Sequence, residues 1–91
     1  MEDHRHRVFE LVRSQIQSIL PGVAPEDVRE GDRSIRMVDL GANSVDRTDV
    51  LINCMESLGI RMPLHEARGL GTIHELVEFL VRHSQPGPGH R

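Results

Sequence analysis

A serine hydroxyl stands in the run Asp39-Leu40-Gly41-Ala42-Asn43-Ser44-Val45-Asp46, between a glycine-bearing loop and an amphipathic segment. Three chemistries use a hydroxyl placed in this way. As a helix cap, Ser44 would accept a backbone N–H that the first helical turn leaves without a partner. As a catalytic nucleophile it would need an adjacent base and a third group to orient that base. The Gly-x-Ser-x-Gly elbow is missing, and a pairing with His65 and Asp39 is a coincidence that any chain with six histidines offers. As the acceptor of a phosphodiester-linked group, Ser44 would set a phosphate against free N–H groups and the positive end of a helix dipole.

Other reactive side chains offer less. Cys54 is the single cysteine, so an internal disulfide is impossible, and a reducing cytoplasm is the expected setting. The stretch His74-Glu75-Leu76-Val77-Glu78 is close to the HExxH zinc helix, but Glu78 stands where the second histidine belongs and no third ligand is in view. No metal site is expected. The net charge of −3 and the absence of Trp and Tyr argue against nucleic-acid binding and point weakly to cationic protein partners. Neither a signal peptide nor a membrane-crossing run is visible.

The elements that must position Ser44 follow from hydrophobic spacing. Val8, Phe9, Leu11, Val12, Ile16, Ile19 and Leu20 predict an amphipathic helix over 4–20, closed by Pro21-Gly22. A long loop follows from Val23 to Asn43, with a helical turn at Pro25-Glu26-Asp27 and Val23, Val28, Ile35, Val38 and Leu40 as anchors. A second helix runs from Ser44 or Val45 to Leu58 and stops at Gly59. Val50, Leu51, Cys54 and Leu58 share one side of it, with Val45, Ile52 and Met55 on the flanks as either core or contact surface. Pro63 can open a short third helix over His65–Arg68, broken by Gly69 and Gly71. The last helix starts near Thr72, with Glu75 as capping-box partner, and turns Ile73, Leu76, Val77, Leu80 and Val81 inward, with Phe79 at the edge. Residues 84–91 read as a disordered Pro/Gly-rich tail, leaving one all-α domain over 1–83.

The serine run, together with Leu58-Gly59-Ile60-Arg61-Met62-Pro63, Ala67, Leu70, Thr72-Ile73 and Phe79-Leu80, resembles an acyl carrier protein over about residues 8–82. That resemblance implies an acyl-carrier-like four-helix bundle with a short third helix, and a 4′-phosphopantetheine arm placed on Ser44 by a phosphopantetheinyl transferase. It also implies a carrier without catalysis of its own. Asn43 replaces the usual Asp before the serine, Val45 replaces Leu, and Arg47 and Met55 interrupt a helix that is typically acidic.

More narrowly, Gly41-Ala42-Asn43-Ser44-Val45-Asp46-Arg47 resembles stand-alone donor carriers of polyketide β-branching cassettes. Such carriers hold an acetyl group for an enzyme resembling 3-hydroxy-3-methylglutaryl-CoA synthase. An acyltransferase and a decarboxylating ketosynthase-like enzyme are further implied partners, and the carrier is expected to be a monomer. The expected recognition surface comprises Val45, Asp46, Arg47, Asp49, Ile52, Met55 and Glu56, with a rim around His65 and Arg68. A fatty-acid or polyketide-extension carrier, a peptidyl carrier and an unmodified helical interaction module are the alternatives.

Overall fold

The computed structural model describes residues 3–67 and 69–84. Arg68 and the stretch 85–91 lie outside the described residues, so of the expected tail only Ser84 is described. That residue closes the last helix, and its hydroxyl lies 3.1 Å from His4 Nε2, joining the two ends of the fold.

Among the described residues three α-helices form the frame. Helix α1 (His4–Ile19) is capped by Asp3, whose carboxylate accepts the Arg5 N–H, and it buries Val8, Phe9, Val12 and Ile16 at three- and four-residue spacing. Helix α2 (Ser44–Leu58) buries Val50, Cys54 and Met55. It stops at Gly59, whose φ of 70° is left-handed backbone that glycine adopts without strain. The Ile60 N–H then reaches back to the Met55 carbonyl at 2.9 Å, satisfying one of the end carbonyls. Helix α3 (Ile73–His83) buries Ile73, Leu76, Val77, Phe79 and Leu80. Helix α1 lies against both partners, while α2 and α3 touch each other less, so α1 is the spine of the core.

The start of α3 accounts for the zinc-like run. Thr72 Oγ1 accepts the Glu75 N–H at 3.0 Å, and the Glu75 carboxylate accepts the N–H groups of Thr72 and Gly71 at 3.2 and 2.9 Å. These backbone donors hold its carboxyl below the usual carboxylate range. Glu75 is therefore a cap, and no cluster of three metal-ligating side chains occurs among the described residues.

The link between α1 and α2 is fastened at several points. Val23, Val28 and Met37 are buried, and Ile35 and Leu40 pack partly against the core. Val38 does not anchor the loop: it is 41% exposed. The reason is a 3₁₀ turn over Met37–Leu40, in which residues three apart share a face, so Met37 and Leu40 turn inward and Val38 turns out. An antiparallel bridge between Arg36 and Thr72 ties this loop to the start of α3, with Ile73 N–H donating to Ile35 O at 2.9 Å and Met37 N–H to Gly71 O at 3.3 Å. Earlier in the loop, Asp32 accepts from the Ser34 hydroxyl and N–H and from Arg29, and its pKa falls to about 2.

The short third helix is one 3₁₀ turn over Leu64–Ala67, starting a residue earlier than expected because Pro63 O already accepts the Glu66 N–H at 3.1 Å. Ala67 is its buried contact. The architecture is all-α, in the order long helix, fastened loop, long helix, 3₁₀ turn, long helix.

Leu80 is fully buried among these helices, so Leu80→Ala is expected to lower unfolding free energy by about 2–5 kcal/mol, read as an earlier urea midpoint.

Candidate functional site

The beginning of α2 is built by a reciprocal cap that leaves the serine out. Asn43 Oδ1 accepts the Asp46 N–H at 2.8 Å, and the Asp46 carboxylate accepts the Asn43 N–H at 3.1 Å. Asn43 is thus the N-cap and Ser44 the first helical residue, which corrects the sequence reading of Ser44 as a possible cap. Among the described residues the Ser44 hydroxyl makes no hydrogen bond, and the residue is exposed. Its carbonyl accepts from Thr48 Oγ1 at 2.9 Å. Upstream, Gly41 at φ 95° turns the chain out of the 3₁₀ segment, and buried Ala42 seats that turn on the core.

Ser44 borders a groove of about 570 Å³ between α2, the Met37–Leu40 turn and the Leu64–Ala67 turn. Arg47, Thr48 and Leu51, three, four and seven residues after Ser44, share its face of the helix and line the same groove. Arg36, Met37 and Val38 form the loop wall, Leu64, His65 and Ala67 the opposite wall, and half-buried Leu70 adds apolar surface above the buried Leu76. The Arg36–Thr72 bridge ties the loop wall to the start of α3.

The expected recognition residues divide into several sets. Val45, at 64% exposure, is an outward apolar side chain, and Asp49 and Glu56 are exposed acids. Ile52 is half-buried, and Asp46 is committed to the cap. Arg47 is half-buried in the groove and donates to the Ala42 carbonyl at 3.4 Å. His65 is exposed on the groove wall, 3.5 Å from the Glu66 carboxylate. Met55 is a correction: at 5% exposure it is core, because the helix turns it toward the same interior as Val50 and Cys54. Arg68 lies outside the described residues.

Arg36, Thr48, Leu51, Leu64 and Leu70 were not among the expected site residues. Helical spacing from Ser44 identifies Thr48 and Leu51; Arg36, Leu64 and Leu70 arrive from other segments and carry no local signal.

Over 76 residues, 84% of this chain and 89% of the relative, the sequence is 33% identical to the polyketide biosynthesis acyl-carrier-protein AcpK of Bacillus subtilis (strain 168). The chain belongs to the acyl carrier protein family. A second relative, the acyl carrier protein of Chlamydia muridarum (strain MoPn / Nigg), is 30% identical over 59 residues, covering 65% of this chain and 74% of that one. No family model matches, and no solved structure gives a significant match. As an acyl carrier protein the chain is a carrier without catalysis of its own.

Because the cap belongs to Asn43, Ser44→Ala in the unmodified carrier should leave stability within about 0.5 kcal/mol of wild type. Asn43→Ala should lose about 1 kcal/mol and Asn43→Asp much less. Chemical denaturation of the three variants separates a capping serine from a free one.

Proposed function

We propose that Ser44 carries a 4′-phosphopantetheine arm and that the chain delivers an acetyl group on it in polyketide β-branching. The observation that carries this reading is the exposed Ser44 hydroxyl, spared from capping by Asn43 and opening beside a groove. The fit is good: the oxygen has no competing hydrogen bond to break, and no buried carboxylate stands beside it among the described residues to repel a phosphate.

Modification takes place within a separate transferase. Ser44 Oγ attacks the β-phosphorus of coenzyme A and forms the new P–O bond, the bond to the bridging pyrophosphate oxygen breaks, and 3′,5′-ADP leaves. The serine proton passes to a base of the transferase. When attached, the group supplies a terminal thiol that bears the acyl cargo as a thioester.

The carrier's own residues present that site. Val45 offers apolar surface next to the serine, and Asp49 and Glu56 offer negative charge to basic partner surfaces, with half-buried Ile52 between them and His65 on the far side of the groove. Binding energy at this face raises the local concentration of cargo at each partner enzyme. An HMG-synthase-like enzyme as acceptor rests on the Asn43-Ser44-Val45-Asp46-Arg47 run and on the polyketide relative. An acyltransferase and a decarboxylating ketosynthase-like enzyme would load the arm. No helix of the described residues is long and apolar enough to cross a membrane, and a cytoplasmic carrier suits the free, buried Cys54.

Incubation with coenzyme A and a broad-specificity transferase should add one phosphopantetheine mass to wild type and none to Ser44→Ala; equal masses would refute attachment at Ser44. Burial pushes the Cys54 thiol up to about 12, so native alkylation should label the modified carrier at the arm and leave the unmodified one largely unlabelled. The acetylated carrier should donate to an HMG-synthase-like enzyme faster than a fatty-acid carrier does. Equal rates would remove the donor assignment while leaving the carrier role intact.

A further inference from the structure

We propose that Arg47 and Arg36 hold the phosphodiester of the arm, so that the arm leaves Ser44 along the groove instead of directly into solvent. The inference rests on Ser44 being the attachment point and goes beyond it, assigning the residues that receive the phosphate and the direction the arm takes.

The first support is the charge of the groove. The protein as a whole carries −3, yet the groove beside Ser44 is lined by two arginines and a histidine and by no carboxylate among the described residues. Asp46 caps α2 and Asp49 is exposed outside the groove lining, while Asp39 and Glu66, also outside the lining, stand 4.0 Å from Arg36 and 3.5 Å from His65. A cationic groove on an anionic protein suits an anionic ligand, and the phosphodiester is a negative group fixed to its edge.

The second support is placement. Arg47 follows Ser44 by three residues on the same face of α2, a spacing that sets Cβ atoms about 5–6 Å apart, well within the reach of an arginine side chain. Its contact with the Ala42 carbonyl, at 3.4 Å, is long for an N–H···O bond and leaves most of the guanidinium donors available. Arg36 stands on the loop wall, held there by the bridge to Thr72, and its pairing with exposed Asp39 at 4.0 Å is weak competition for a phosphate. A guanidinium fork matches two phosphate oxygens in a way that a lysine ammonium does not. Half-buried Leu51 and Leu70 and exposed Leu64 then offer the following part of the arm an apolar surface to lie on.

The test is phosphorus NMR on wild type, Arg47→Gln, Arg36→Gln, the double variant, Arg47→Lys and an exposed control outside the groove, Arg61→Gln. Intact mass is measured first. A wild type that takes no arm refutes attachment at Ser44, a separate failure from that of the clamp. With the arm attached, the double variant should move the phosphorus resonance toward its position in urea and narrow it. Arg47→Lys should move it part of the way, and Arg61→Gln should leave it in place. A second measurement needs no variant: attachment to wild type should shift the amide signals of Leu70 and Gly71, and high salt should reverse that shift. Unchanged phosphorus position and width in a folded, loaded double variant, or a wild-type perturbation confined to the residues next to Ser44, would overturn the clamp.

Discussion

Asn43 and Asp46 satisfy each other across the first turn of α2, each side chain accepting the other's backbone N–H. Two of the donors at this turn are thereby paired without the intervening serine, and the site depends on that economy. Had Ser44 been the cap, its oxygen would have been a hydrogen-bond acceptor aimed into the helix, and using it as a nucleophile would have cost the cap. With Asn43 in that position, the Ser44 hydroxyl and the capping oxygen are different atoms on neighbouring residues. The departure from the usual Asp at position 43 is thus physically mild, because the Asn side-chain oxygen accepts the same N–H.

A well-made helix end still needs walls around it, and those come from a loop. The segment between α1 and α2 is long enough that loose behaviour would be its default. It is held by buried Val28 and Met37 and by the Arg36–Thr72 bridge, so one wall of the groove is tied to the start of α3. The opposite wall is a single 3₁₀ turn with Ala67 as its buried side chain. The groove therefore has one strongly fastened side and one lightly fastened side.

The frame was legible because periodicity and end signals coincide: the apolar spacing of α1, Gly59 after α2, and Thr72 with Glu75 before α3 all have local causes. The candidate site was legible at Ser44 through its neighbours and the downstream pattern. What failed was side-chain direction. Met55 lies on the flank of an ideal helical projection, and only the tertiary packing around α2 decides that this flank is interior. Val38 reads as an anchor by hydrophobicity, but the 3₁₀ turn hands that role to Met37. Arg36 could not have been assigned to Ser44 by any local rule, since the bridge that sets its wall joins residues far apart in sequence.

These placements change what Arg47 means for specificity. A cation among acids on a recognition helix reads first as a weakening of attraction to basic partners. In the fold, however, Arg47 is drawn down into the groove, while Val45, Asp49 and Glu56 occupy exposed positions. Asp46 is engaged in the cap, and Val45 is the large apolar side chain that α2 exposes most. On the proposed reading, a partner that meets this helix finds apolar surface at Val45 beside the exposed charges of Asp49 and Glu56, so shape and apolar fit share the recognition with charge. Such recognition falls off steeply with small mismatches in a way that screened surface charge does not. On the proposed reading, selectivity follows from that balance, with the groove holding the arm and the exposed face meeting the enzyme.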